Sequence, residues 1–190
     1  MEIKNNYIYF TIILIIFSII FPTNGDYFSK TKIANLPILK KTTLHFYLHD
    51  ILSGKNPSAI LAARPNITLG QKSATPFGSV YAIDDPITIG PEANSTVIGN
   101  AQGLYLSSSK DTFSLVMYVD FGFTYGKFNG SSISIFSRNP VSEGSDREVG
   151  VVGGRGKFKL AKGFAKVQTY YLDIKSGDAI LEYNVDVYHY

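Results

Sequence analysis

From residue 42 to the end of the chain, apolar residues recur at every second position, not at every third or fourth. Leu44, Phe46, Leu48 and Asp50 fall on one face of a first strand. Leu115, Met117, Val119, Phe121 and Phe123 fall on one face of another, with Tyr118, Asp120 and Thr124 opposite. The last segment sets Leu181, Tyr183, Val185 and Val187 against Glu182, Asn184 and Asp186. Turn chemistry separates the runs. Asn129-Gly130 reads as a hairpin turn, Ser107 to Thr112 as a polar turn, and Lys175 to Asp178 as the turn before the last strand. Further strands are expected near Ser58 to Ala63, Phe77 to Ile83 and Thr96 to Leu106. About eight strands suffice to close an antiparallel barrel around side chains or one small ligand. Closure also removes the sheet edges that invite aggregation; a sandwich is the alternative. No long helix is visible, and GGRGKFKLAKG has room for one short helical turn.

The N-terminus departs from this rhythm. Lys4 precedes an uncharged apolar run from Tyr7 to Phe21, followed by Pro22 and small or polar residues. That order reads as a secretory signal peptide over residues 1–25, cleaved near Gly25. The run is shorter than the roughly 20 residues a spanning helix needs, and an uncleaved anchor is the weaker reading. No other stretch is long and apolar enough to span a bilayer, so a secreted protein with no membrane attachment after signal removal is expected. Residues 26–41 read as a poorly ordered arm and 42–190 as one barrel domain.

Composition narrows the chemistry. The net charge is +3 with its lysines and arginines scattered, so no basic stripe tracks a nucleic-acid backbone. The absence of cysteine removes thiol catalysis and thiolate metal ligation and leaves stability to the core. Three sequons, at Asn66, Asn94 and Asn129, suit passage through a glycosylating route. GGRGKF lacks the ending of a phosphate loop, and no GxSxG elbow occurs. His45 and His49 share a strand face without a third ligand, so no metal site is expected, and no cofactor motif is present.

What remains is polar chemistry in an aromatic barrel. Asp50 shares the face of Leu44, Phe46 and Leu48, where burial would favour its neutral form. Asp84 and Asp85 stand before Pro86, at what reads as a strand end with turn-capping carboxylates. Tyr105 follows Gly99, Ala101 and Gly103 on its own face, which leaves either room for a ligand or close strand packing.

FYLHDIL, SVYAIDDPITIGPE, GNAQGLYLSSS, FNGSSISIFSRNP, REVGVVGGRGKF and GDAILEYNVDVYHY together resemble the plant dirigent proteins, in family order from about Thr43 to Tyr190. The resemblance implies an eight-stranded antiparallel barrel of the allene oxide cyclase-like, dirigent type, secretion to the apoplast, glycosylation and a homo-oligomer, trimer preferred over dimer. It also implies that the protein takes phenolic substrates or their radicals, and imposes stereoselectivity on phenoxy radical coupling toward optically active lignans. A separate laccase or peroxidase supplies the radicals, and the protein needs no cofactor. The family positions that line or frame the pocket fall on Asp50, Asp84, Asp85, Tyr105 and Arg147. One departure stands out: Ser137-Arg138-Asn139 replaces the Gly-Ala-Asp of lignan-forming members, and Ser142 to Asp146 includes an extra residue. Two alternatives stay open. One is an oxidant-independent cyclase acting on a quinone methide, with pterocarpan-type ring closure; the other is a non-catalytic phenolic-binding protein of the cell wall or defence. Asp50 and Arg147 are expected in one pocket with Tyr105, where Arg147 or a substrate phenol would relieve the cost of the buried carboxyl. The outer face of the first strand, with His45, Tyr47 and Ile51, is the expected subunit contact.

Overall fold

The computed structural model describes residues 29–35, 37–66 and 75–190. Residues 1–25, read from the sequence as a signal peptide, lie outside them. The chain divides into residues 1–35 and a unit of residues 36–190; of the first, residues 29–35 have no regular secondary structure and are exposed.

Among its described residues the second unit holds nine strands: β1 (Lys40–Asp50), β2 (Ala59–Ala63), β3 (Val80–Thr88), β4 (Val97–Ser107), β5 (Leu115–Phe123), β6 (Ser131–Asn139), β7 (Arg147–Arg155), β8 (Lys162–Leu172) and β9 (Ala179–His189). All pair antiparallel, in the order β1-β9-β8-β7-β6-β5-β4-β3-β2, and a further pairing of β1 with β3 closes eight of them into a barrel. Lys40 and Lys41 belong to β1, so the arm ends two residues before the expected boundary. The inward faces are the ones the alternation marks. Met117, Val119, Phe121 and Phe123 of β5 and Tyr183, Val185 and Val187 of β9 are all buried. At mid-barrel Phe46 stacks on Tyr183, with centroids 5.5 Å apart and planes 9° apart, and Phe121 leans on both. One end is plugged by Phe123, Phe128 and Phe158, the last edge-on to His189. The other end, where β1 stops and β9 begins, stays open.

Closure leaves a seam. β1 pairs with β9 along its whole length but meets β3 only at Tyr47↔Thr88 and Leu48↔Ile87. β2 covers the other half of β3, from Val80 to Ile83. Between those two partners Asp84 gives its N–H to Ser58 O at 2.9 Å. Two residues on, Pro86 turns its nitrogen toward the same unpaired edge, where a missing N–H breaks no ladder. This corrects the reading of Asp84-Asp85-Pro86 as a strand end: the three residues lie inside β3, and the carboxyls cap no turn.

Two other expectations change. Gly99 and Gly103 do not make room for a ligand. A Cβ at Gly99 would lie 1.9 Å from Gly122 O, and one at Gly103 would lie 2.1 Å from Tyr118 O, so the glycines let β4 bend against β5. Asn129-Gly130 ends a seven-residue connection with a helical turn at Gly126–Phe128, and is not a two-residue hairpin. A further short helical turn, Gly156–Phe158, lies in the segment expected to hold one.

Candidate active site

The open end leads into a narrow cavity of about 50 Å³. Its wall includes Asp50, Tyr105, Asn139 and Arg147, with Phe113 and Val141 among the loop residues. A deeper chamber of about 30 Å³ shares Asp50, Tyr105 and Asn139 and adds Asp85 and Tyr183 above the aromatic core. Asp50 and Tyr105 thus stand where mouth and core meet. The rim is tied down by Asp178, which accepts from Leu52 N (2.8 Å), Ser53 N (2.9 Å) and Ser53 Oγ (2.5 Å). On the far side Ser142 N donates to Phe113 O at 3.0 Å and joins two mouth loops.

The expected site residues separate as follows. Asp50 ends β1 on its inward face; its Oδ1 is out of contact with solvent and unpartnered among the described residues, and the Tyr105 hydroxyl is the hydrogen-bonding neighbour that favours its charged form. Asp85 is fully buried; its Oδ1 accepts from Ser58 Oγ at 2.6 Å and its Oδ2 has no partner among the described residues. Asp84, one position away, points outward, is exposed and accepts from Asn100 Nδ2 at 2.6 Å. Strand alternation takes it out of the site, which corrects its inclusion. Arg147 is 4% exposed and points inward because it shares a face with Val149 and Val151, not because of the later glycine bend. Its Nη1 donates to Thr169 Oγ1 at 3.0 Å and, at 3.5 Å, to Gly144 O; Nε and Nη2 have no partner among the described residues. Asp50 and Arg147 line one cavity, as expected, but among the described residues they form no ion pair. The near neighbour of Asp50 in charge is Asp85.

Burial dominates the electrostatics of both carboxyls. Burial pushes the Asp50 carboxyl up to about 7, against the Tyr105 hydrogen bond and with a further push from Asp178. Burial also raises Asp85, to about 8, helped by the charge of Asp50 and opposed by Ser58. The two titrate as a pair, and near neutral pH the pair keeps at least one proton. The Tyr105 phenol is raised above its ordinary value by burial and by both carboxyls, so it stays a donor. Burial lowers Arg147 but leaves a guanidinium charged. A buried cation with unused donors favours an anionic or carbonyl oxygen beside it.

These shifts fix a pH dependence of stability. Asp50 and Asp85 bind protons more tightly in the folded chain than the about 4 of a free carboxyl allows, so stability is lost as pH rises from about 4 through about 8. Asp178 is lowered, its donors outweighing burial, and Asp186 is lowered by Lys41 and Thr43; each contributes stability that is lost as pH falls below about 4. The unfolding temperature is expected to peak near pH 4–5 and to decline toward pH 8, with a shallower decline in Asp85→Asn. A wild-type unfolding temperature that climbs from pH 5 to pH 8 would contradict this.

Four contributors were not singled out from sequence. Tyr81 stacks on Tyr105, with centroids 5.0 Å apart and planes 19° apart. Tyr183, recognised as inward, brings its hydroxyl into the deeper chamber. Asn139, seen only as a departure from a family pattern, is buried and presents an amide where that pattern has a carboxyl. Ser58 reaches Asp85 across the seam. Alternation alone identifies Tyr81 as inward; the other contacts depend on the topology. His45 and His49 are taken up elsewhere, by Glu182 (2.7 Å) and Thr88 Oγ1 (2.8 Å).

A protein-family model described as dirigent-like protein matches residues 41–188. Dirigent protein 15 of Arabidopsis thaliana is 56% identical over 168 residues, covering 87% of this chain and 88% of that protein. Pterocarpan synthase 1 of Glycyrrhiza echinata is 45% identical over 151 residues, covering 80% and 79%. A solved structure of a pterocarpan synthase dirigent protein superposes with a TM-score of 0.76 at 43% identity, covering 83% of this chain and 89% of that one.

Proposed function

The chain belongs to the dirigent-like protein family, and on that premise we propose that it directs the stereochemistry of phenoxy radical coupling and then closes the resulting quinone methides with its own buried acid. The observation that carries this is the proton-holding pair Asp50 and Asp85, with Asp50 and Tyr105 shared between the deeper chamber that Asp85 lines and the mouth that Arg147 lines, where Arg147 Nε and Nη2 have no partner among the described residues. An external laccase or peroxidase removes one electron and one proton from each phenol. Two radicals then join through a new carbon–carbon bond, which leaves quinone methide rings. Arg147 holds a ring oxygen through its free donors, and the apolar wall leaves one face of the ring open to attack. A side-chain hydroxyl adds to the exocyclic carbon, the electron pair returns to the ring oxygen, and Asp50 supplies the proton that oxygen takes up. The attacking hydroxyl releases its own proton to the carboxyl pair, so the step conserves protons.

A second reading is favoured by the similarity to pterocarpan synthases. In that reading Asp50 first protonates a leaving hydroxyl, water departs, and a neighbouring phenol closes the ring and returns its proton to the Asp50 carboxylate, with no oxidant. Chiral chromatography over a panel of phenols and isoflavanols, with and without an oxidase, decides between them. Enantiomeric excess only with oxidase supports coupling, and excess without oxidase supports the cyclase. Saturable phenol binding with racemic product throughout would leave a binding protein and end both.

The same proposal includes secretion to the apoplast, glycosylation and self-association. Asn66, Asn94 and Asn129 are exposed, the last two in turns, which suits glycan attachment. The apolar surface suited to a subunit contact is not on β1, where His45 pairs with Glu182 and Tyr47 packs edge-on against Tyr170. It lies on the outer wall, where Leu104, Tyr118 and Phe136 are directly opposed across β4, β5 and β6 and are 44%, 48% and 59% exposed. Light scattering is expected to show an oligomer that Tyr118→Asp dissociates; a wild-type mass of one chain would remove the proposal.

A further inference from the structure

We propose that the outer groove at the plugged end of the barrel binds acidic polysaccharide, with a uronic acid ring packed on Tyr188 and its carboxylate held between Lys41 and Lys162. The choice of a polysaccharide as occupant rests on the secretion proposed above; the charge and shape of the surface do not.

Lysines that are scattered along the chain meet at this end. Lys40 and Lys41 open β1, Lys162 opens β8, Lys127 comes from the β5–β6 connection, and Lys157 and Lys159 come from the β7–β8 connection. All six are exposed. Lys41 pairs with Asp186 at 2.9 Å, and the other five form no ion pair among the described residues. The connections at the open end mix both signs, with Asp111, Asp146 and Asp173 among their acids. A field of one sign gathered at one end draws in a polyanion.

The groove beside these lysines has a volume of about 460 Å³ and is lined by Leu39, Val152, Leu160, Lys162, Tyr188 and Tyr190 among others. Register sets Tyr188 of β9 directly between Lys41 of β1 and Lys162 of β8. Lys41 Nζ lies 5.9 Å from the centre of the Tyr188 ring. A uronic acid ring has an apolar C–H face, which packs on aromatic and aliphatic side chains, and a carboxylate that a lysine on either side can meet. A concave site suits a single polymer chain, whereas a bilayer presents its charge as a plane.

Leu160 is a second observation, independent of charge. It is 66% exposed and has a φ of 60°, in the left-handed region that a bulky residue enters only at a cost. Glycine would make the same bend without strain and without exposing an apolar side chain. A leucine at the groove wall gains by covering the C–H face of a bound sugar.

The test follows the purified protein by affinity electrophoresis in polygalacturonate or in the same polymer fully methyl-esterified, and by sedimentation with phosphatidylserine vesicles. Retention by polygalacturonate should weaken with added salt and vanish with the neutral polymer. Lys41→Gln with Lys162→Gln should lower the affinity about tenfold, the worth of two exposed ion pairs. Leu160→Gly should weaken retention while raising the unfolding temperature. Lys55→Gln with Lys110→Gln removes the same charge from the open end and should change the affinity by less than about twofold. None of these side chains lines the cavity or the deeper chamber, so stereoselective product formation should be unchanged. Retention by a protein that cell fractionation finds inside the cell would leave the binding site standing and remove the secretion reading. No retention, equal retention by the esterified polymer, equal losses in the two lysine pairs, or tighter association with the vesicles would overturn the proposal.

Discussion

Asp50→Asn is expected to lower stereoselective product formation by about 10²-fold or more, the range that a positioned general acid contributes. The amide keeps the shape of the carboxyl and can still accept from Tyr105, so the contact that orients it survives. What disappears is the transferable proton. Because the carboxyl is an acid that burial holds neutral, its replacement should leave the unfolding temperature unchanged at pH 5 and raise it at pH 8, where the wild type must ionise a buried group. Opposite movements of activity and stability mark a residue kept for function. Asp84→Asn, on the outer face, is the control and should change neither. If Asp50→Asn retains full activity while folded, the acid is not Asp50.

Gly163→Ala is expected to destabilise the barrel by about 3 kcal/mol or more, a fall of roughly 6–12 °C in unfolding temperature for a domain of this size. An added Cβ would lie 1.9 Å from Asp186 O and 3.2 Å from Val187 Cα, both backbone atoms that no rotamer change can clear. β9 would have to move away from β8, and with it Val185 and Val187, which are fully buried. The argument is one of close approach, the same that Gly99 and Gly103 show between β4 and β5. Gly150→Ala on β7 meets no atom within 4 Å and should be near neutral. Equal effects of the two substitutions, measured by thermal unfolding, would show that strand bending does not depend on these approaches.

How much of this could be read from the chain follows from what each feature depends on. Side-chain period in a strand is local, so the inward faces of β5 and β9 and the inward Asp50 are legible from alternation. Strand ends depend on neighbours as well as on turn chemistry. Asp84-Asp85-Pro86 looks like a stop because a proline breaks a ladder, yet the seam offers it an edge with no ladder to break. The glycines before Tyr105 are ambiguous in sequence because an open space and a close approach both require a missing side chain. The site shows the same division. Asp50, Asp85, Tyr105 and Arg147 fall on the cavity as the family resemblance implies. Which group answers which is another matter: Asp50 looks to Tyr105 and Asp85, while Arg147 looks to Thr169 and to the substrate space. Ser58 and Asp85 are 27 residues apart and meet only because β2 stops where β1 takes over along β3.

The central claim is that a proton held by the buried pair is delivered to a quinone methide in the cavity. Its most direct test is the pH profile of single-turnover enantiomer formation from a chemically generated quinone methide, with no oxidase present. The account predicts a plateau at low pH and a fall with a midpoint near 7, as the Asp50 carboxyl ionises. The enantiomer ratio should stay constant across the fall, because the cavity wall sets the exposed face and the proton sets the rate. A rate of enantiomer formation that is flat from pH 5 to pH 9 would contradict it.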